Sequence, residues 1–276
     1  MVSSNMCLMR VVERSWPWAK LFYKSNDTNM KSPKQAGFLN LHGGSMGTTT
    51  FVRMDGVFTT REKLTRSKQR TEVHLGNESE FGIASKAGAS FRYAMAEVKP
   101  PKNREVINRV QKIMRKITQL DKVSARGKRN VAAGDSSLLL GFEFNIKAPF
   151  RGSFNVRFTT GMNRQTGELT INIPSIIPKS VIKAPLGTTH FKIVSAGASI
   201  NFAERSNVSA KDTFKSELIP WDWNSTAAIS VVFQMPLIST DTLFLALGVQ
   251  YFKDSGPEME MVKFGKGDSL CVVGVS

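Results

Sequence analysis

Two stretches of the chain carry apolar residues at the three- and four-residue spacing of an amphipathic helix. In the first, Asn77 and Glu80 have the spacing of an N-cap and its reciprocal acid, and the apolar pattern follows over 81–98. In the second, Asn103 is the expected cap, and a Pro-Pro turn at 100–101 separates the two stretches. The apolar positions of the second stretch are Val106, Ile107, Val110, Ile113, Met114, Ile117 and Leu120. We therefore expect an antiparallel pair of helices.

The remaining patterned segments alternate with a period of two, which is typical of β-strands. Between Gly37 and Thr60 the alternation surrounds Asp55-Gly56, a strong hairpin signal. A second hairpin is predicted from the alternation at 154–158 and 169–173, around a turn with Gly167 in the left-handed conformation. Further strands are predicted at 190–195, 198–203, 229–234, 243–252 and 269–275. The predicted fold class is α+β, mainly β, with an antiparallel two-sheet β-sandwich after the helices.

These patterns divide the chain into three parts. Residues 1–35 are polar and irregular, which predicts a flexible arm. One interpretation is that translation starts at Met30 and that residues 1–29 do not belong to the native protein. Residues 36–130 are predicted to form a basic hairpin and two-helix region, and residues 131–276 a β-sandwich domain.

Charge is the one compositional property that departs from the average. The chain has 38 Lys and Arg against 22 Asp and Glu, a net charge of +16. Residues 1–130 hold 25 basic and 10 acidic residues, a net charge of +15, whereas residues 131–276 hold 13 and 12, a net charge of +1. A basic half of this kind attracts phosphate polyanions, anionic membranes or acidic proteins.

The basic residues form three clusters in the sequence, and we predict that they bind a polyanion or a protein partner. One precedes the first helix, one lies on the polar face of the second helix, and one follows that helix in a loop. Their members are Arg61, Lys63, Arg66, Lys68, Arg70, Arg104, Arg109, Lys112, Arg115, Lys116, Arg126, Lys128 and Arg129.

Motifs for catalysis or metal binding lack their structural context. Gly43-Gly44-Ser45-Met46-Gly47 matches the G-x-S-x-G nucleophile elbow, but a strand rather than a helix is predicted to follow Ser45. The glycines are not followed by the Lys of a phosphate-binding loop, and carboxylates are sparse in the C-terminal half. Cys7, Cys271 and the three histidines are too scattered for a metal site or a disulfide. We expect no catalytic residues, cofactor or metal.

The distribution of apolar residues along the chain predicts where in the cell the protein is found. No apolar run approaches the length of a membrane span, so we expect no transmembrane segment. Arg10, Glu13 and Arg14 interrupt the N-terminal apolar residues, so we expect no secretory signal and a cytoplasmic location.

Several segments resemble a family of uncharacterised proteins common in Bacteroidota genomes. The segments are 70–88, with its Asn-x-x-Glu-Phe-Gly motif at 77–82, and 124–131, 140–145 and 190–198. The likeness runs from about Gly37 to the end of the chain. It implies a glycine-punctuated hairpin, a helix and a β-rich half, and no known activity. The sequence departs from the family at Ala89, where a basic residue is usual.

These observations favour a non-catalytic interaction or structural assembly subunit, whose partner is a protein or a second copy of the chain. The alternative is a nucleic-acid-binding protein that uses the basic helical region. A more distant alternative is a hydrolase with Ser45 as its nucleophile.

Overall fold

A computed structural model describes residues 44–46, 49–54, 57–62, 70–98, 104–203, 207–237, 240–256, 259–262 and 268–276. The predicted arm at 1–35 and the turn at 55–56 lie outside these residues. The chain forms two compact units, Met1–Lys68 and Gln69–Ser276.

The first unit contains a three-stranded antiparallel sheet. Its strands are β1 (Gly44–Met46), β2 (Thr49–Met54) and β3 (Val57–Glu62), in the order β1-β2-β3. Met54 lies opposite Val57, so two residues connect β2 to β3, as the hairpin signal predicts. Ser45 lies within β1 and pairs with Thr50 of β2, so a strand follows this serine, as predicted.

The second unit is built around a six-stranded antiparallel sheet. Its two long central strands are β6 (His190–Asn201) and β10 (Thr242–Asp254). Its four shorter strands are β7 (Asn207–Lys215), β8 (Ile219–Pro220), β11 (Met259–Met261) and β12 (Ser269–Val275). β7 and β8 pair with β6, and β11 and β12 pair with β10. The strands expected at 190–195 and 198–203 are one continuous strand, β6, because Ala196 and Gly197 remain paired with β10.

A smaller antiparallel sheet contains β4 (Thr159–Asn163), β5 (Glu168–Ile173) and β9 (Ile229–Gln234), in the order β4-β5-β9. The turn between β4 and β5 has Gly167 at a φ of 70°, in the left-handed conformation that the sequence predicts. The strand predicted at 154–158 is wrong, because Phe154 pairs only with Ile182 and the ladder starts at Thr159.

Two long helices belong to this second unit: α1 (Glu72–Ala94) and α2 (Arg104–Gln119). The hydroxyl of Thr71 caps α1 by accepting from the backbone N–H of His74, so α1 begins one and a half turns before the expected cap at Asn77. Short helical turns occur at Ser136–Leu139, α3 (Phe150–Ser153) and α4 (Pro178–Val181).

The six-stranded sheet is buried on both faces. One face packs against the helices through a core that includes Phe91 of α1, Met114 of α2 and Phe244 of β10. The other face packs against the smaller sheet through a core that includes Phe233 of β9 and Leu245 of β10. Packing on both faces explains why consecutive residues of β6 and β10 are buried, rather than every second residue.

The α+β, mainly β class is therefore confirmed. A two-layer sandwich is not, because the helices form a third layer on the six-stranded sheet. For the same reason the helices lie in one compact unit with residues 131–276, rather than in a separate region that ends at residue 130. The physical cause is the apolar face of each helix, which requires the sheet to cover it.

Candidate functional site

The candidate site begins at the contact between α1 and α2. The guanidinium of Arg115 lies 5.9 Å from the centre of the Phe81 ring, and a side chain at Gly88 would meet Val110 at 3.3 Å. Residue 81 of α1 lies beside residue 115 of α2, and residue 88 lies beside residue 110. The helices therefore pack antiparallel, as predicted.

A shallow groove of about 370 Å³ lies on the outer side of this helix pair. We call it the basic groove; its lining residues are Phe81, Asn108, Gln111, Lys112, Arg115, Lys116 and Gln119. All three of its cations are exposed, and so is half of the Phe81 side chain. Among the residues that the structure describes, none with an acidic side chain lines it. The groove therefore presents positive charge beside an exposed aromatic ring.

The chain after α2 forms a second basic element, residues 122–130, which we call the basic loop. Asp121, buried at the start of this loop, accepts hydrogen bonds from the backbone N–H groups of Val123, Ser124 and Asn130, at 2.9, 2.9 and 3.1 Å. These bonds stabilise the carboxylate and lower its pKa from 3.8 to about 2, with the Ser124 N–H as the largest cause. One side chain thus holds both ends of the loop.

Two side chains of α1 fix the middle of the basic loop. The Glu80 carboxylate accepts from the backbone N–H of Gly127 at 2.7 Å, and the Asn77 amide oxygen accepts from Arg126 at 3.1 Å. Gly127 has a φ of 88°, and a side chain there would come within 3.0 Å of the Gly76 backbone. Asn77 and Glu80, predicted to cap the helix, therefore anchor the loop instead.

The basic groove and the basic loop are continuous. A small cleft lined by Asn77, Glu80, Phe81 and Arg115 joins them, since the first two residues hold the loop and the last two line the groove. Lys112, Arg115 and Lys116 therefore share one surface with the exposed Arg126 and Lys128. The fold thus brings together some members of two of the three basic clusters.

Arg109 was predicted on the exposed face of α2, and this prediction is wrong. Its guanidinium donates to the carbonyl oxygen of Glu143 at 2.6 Å and lies 4.8 Å from the centre of the Phe142 ring. Burial lowers its pKa from the usual value. Arg109 lies beside the buried Val106 and Val110 on α2, and its contacts join α2 to residues 142–143.

The other predicted basic residues are more dispersed. Arg70 is exposed and forms an ion pair with Glu78 at 2.6 Å, and Arg129 is half-buried. Arg104 is exposed at the start of α2, about 16 Å along the helix from Arg115 at 1.5 Å per residue. Arg61 lies in β3, its side chain outside the described part, and Lys63, Arg66 and Lys68 are outside it altogether.

Three further observations concern catalysis and membranes. Among the described residues, no three His, Cys, Asp or Glu side chains are grouped to hold a metal ion. Cys271 is a free, buried thiol whose pKa is raised to about 12, chiefly by burial. None of the helices in the described ranges is both long enough and apolar enough to cross a bilayer.

The sequence analysis did not identify Asp121 or Phe81 as parts of the site. Asp121 directly follows the apolar stripe, and an Asp at a helix end with Ser three residues later is a signal for a local side-chain-to-backbone turn. Phe81 was assigned to the apolar face, although half of its side chain is exposed.

Comparison of the chain with protein-family models, with curated proteins and with solved structures gave no match. The resemblance to the Bacteroidota family remains a prediction.

Proposed function

We propose that the protein is a non-catalytic interaction or assembly subunit whose basic groove and basic loop together dock an acidic surface of a protein partner. The β-rich layers act as a rigid body that carries this surface. The observation that supports the proposal most is that the cleft at Asn77 and Glu80 joins the groove of Lys112, Arg115 and Lys116 to the loop of Arg126 and Lys128. The loop cations lie 10 to 16 residues further along the chain than the groove cations.

The way in which the loop is held supports a binding role. A solvated basic loop needs no anchors, yet Asp121, Asn77 and Glu80 fix this one at both ends and in the middle. Pre-organised cations lose less conformational entropy when a partner binds. The same anchors keep the positive charges of the loop beside those of the groove, where they act on one ligand.

Nucleic-acid binding is the second candidate, and Phe81 is the observation that favours it. Its ring is half-exposed in the groove between cations, and aromatic rings beside a basic track stack the bases of single strands. A flat acidic protein surface does not need this ring. Replacement of Phe81 therefore separates the two candidates.

The experiment compares two variants with the same charge. The groove variant carries Lys112→Glu, Arg115→Glu and Lys116→Glu, and the control variant carries Lys147→Glu, Lys183→Glu and Lys253→Glu at exposed positions of the β-rich layers. Each variant has a net charge of +10 instead of +16, because three positive charges become three negative ones. Fluorescein-labelled polyglutamate and a single-stranded oligonucleotide are the probes, followed by anisotropy at low and moderate salt.

We expect the wild type and the control variant to bind polyglutamate, with an affinity that falls as salt rises, and the groove variant to lose binding. Tighter binding of the oligonucleotide than of polyglutamate would favour the nucleic-acid function. Phe81→Ala should then weaken oligonucleotide binding, whereas the control Arg70→Gln should retain it. Equal binding by the groove and control variants would assign the effect to net charge alone. Absence of binding to both probes, together with a monomer in light scattering, would refute the proposal.

A further inference from the structure

A second groove, of about 470 Å³, lies on the opposite side of the six-stranded sheet from the helices. Residues 154–158 and the strand β12 line it, and we call it the apolar groove. Its apolar lining includes Leu140, Phe150, Phe154, Val156, Phe158 and Val273. Its volume is within the range of about 300–1,000 Å³ that is typical of ligand sites.

The groove wall formed by residues 154–158 has a strand pattern without a strand partner. Phe154, Val156 and Phe158 alternate with polar residues. Phe154 pairs with Ile182, but Val156 and Arg157 make no backbone hydrogen bond to any described part of the chain. The segment leads directly into β4, which pairs with β5 alone among the described strands. Unpaired backbone groups at a sheet edge form a template for a further strand.

The packing of the three aromatic rings keeps this wall in place. The Phe150 and Phe154 rings stack with centres 5.1 Å apart, and the Phe158 ring lies 6.0 Å from that of Phe150. Phe150 and Phe154 are buried in the core, whereas Phe158 is only partly buried. The wall is therefore an ordered surface with one apolar ring facing the groove.

Two arginines give the groove a positive charge. Arg151 and Arg157 both line it and are exposed, and neither has an ion pair with another described residue. The nearby Glu143 carboxylate accepts from the backbone N–H groups of Phe150 and Arg151, at 2.9 and 3.5 Å. A ligand of this groove is therefore expected to be apolar in part and to carry negative charge.

We propose that the apolar groove binds an extended peptide of a partner protein, with alternating apolar and acidic residues, as an added strand beside 156–158. The backbone groups of Val156 and Arg157 pair with the peptide backbone, the partly buried Val156 and Phe158 side chains contact its apolar side chains, and the two arginines bind its carboxylates. A simple fatty acid would satisfy the arginines and the apolar wall but not the backbone groups. This inference is independent of the basic groove.

The probe is fluorescein-labelled acetyl-Val-Glu-Val-Glu-Val-amide, followed by anisotropy. We expect saturable binding to the wild type, and affinity at least tenfold weaker in the double variant Arg151→Gln/Arg157→Gln. The groove variant at 112, 115 and 116 is expected to bind this peptide like the wild type. Lys86→Gln/Lys253→Gln is the control, because it removes two exposed positive charges on elements that do not line the apolar groove.

Two further probes separate strand addition from other modes of binding. A peptide of the same sequence with N-methylated backbone nitrogens keeps every side chain but cannot donate backbone hydrogen bonds, and we expect it not to bind. Equal affinity of the methylated peptide, or tighter binding of decanoate than of the peptide, would overturn the proposal. So would the absence of peptide binding at roughly 1 mM, the weak limit of specific association. Loss of binding in the groove variant alone would place the peptide on the basic groove instead.

Discussion

Arg109 and Lys112 are neighbours on α2 that were predicted to have the same role but have different surroundings in the structure, and replacing each with Met tests the difference. The Met side chain keeps the apolar stem and the helix propensity but removes the charge. In Arg109→Met the protein loses the hydrogen bond to the Glu143 carbonyl oxygen and the contact with the Phe142 ring. In Lys112→Met an exposed side chain outside these contacts changes, with the same loss of one positive charge.

The magnitude follows from the lost contacts. A hydrogen bond from a charged donor contributes about 1.5–3 kcal/mol, and a partly exposed cation–π contact about 0.5–1 kcal/mol. Together they predict a loss of about 2–4 kcal/mol in the free energy of unfolding. For a unit of this size, that corresponds to a fall in Tm of roughly 4–16 °C. A surface substitution such as Lys112→Met usually changes the free energy by about 0.5 kcal/mol or less.

Thermal unfolding followed by circular dichroism, with urea unfolding as a second measurement, provides the assay. The same samples should show that Arg109→Met retains polyglutamate binding if folded, whereas Lys112→Met weakens it. Equal Tm values for the two variants would refute a stabilising contact of Arg109 with Glu143 and Phe142.

Three further predictions concern the core and two buried carboxyl groups. Phe91→Ala should lower the free energy of unfolding by about 3–5 kcal/mol, with helical and β signals lost in one transition, because its ring packs on Phe144 and Phe244 at 5.8 and 5.3 Å; separate transitions would contradict a shared core. The Asp121 pKa is lowered to about 2, so the stabilisation by this carboxylate is complete above about pH 4 and is lost as the pH falls towards 2. A stability difference between wild type and Asp121→Asn that does not shrink in this range would contradict the loop anchor. Burial raises the Asp268 pKa to about 6, so the wild type should lose roughly 3 kcal/mol relative to Asp268→Asn as the pH rises from 4 to above 6, and a constant difference in urea unfolding would show that the carboxyl is not buried as described.

The sequence predicts those elements in which local pattern and tertiary packing agree. The α2 stripe predicts both the helix and its buried side, since Val110, Met114 and Ile117 are all buried. The turn at Gly167 is predicted because its left-handed residue is a local requirement. The start of α1 is not, because Val73 and Leu75 are exposed and add nothing to an apolar stripe.

Longer-range contacts set the limits of the prediction. The alternation at 154–158 is equally compatible with a paired strand and with a wall of phenylalanines, and the packing of Phe150 on Phe154 decides between them. Likewise, the polar positions of α2 look alike in sequence, and only the position of Glu143 distinguishes Arg109 from Lys112. The joining of the basic groove and the basic loop depends on Asn77 and Glu80, which lie 49 and 47 residues before the loop residues that they contact.

The central claim is that the basic groove and the basic loop form one docking surface. Hydrogen–deuterium exchange with mass spectrometry measures this directly. The protein is compared alone and with whichever ligand binds more tightly, polyglutamate or the oligonucleotide. We predict that the ligand slows exchange in both 108–119 and 122–130 and also in the helix segment 76–81. Exchange in the strands β4, β5 and β9 should be unchanged. Slowed exchange in only one of the two basic elements, or mainly in the β-sheets, would contradict a single surface.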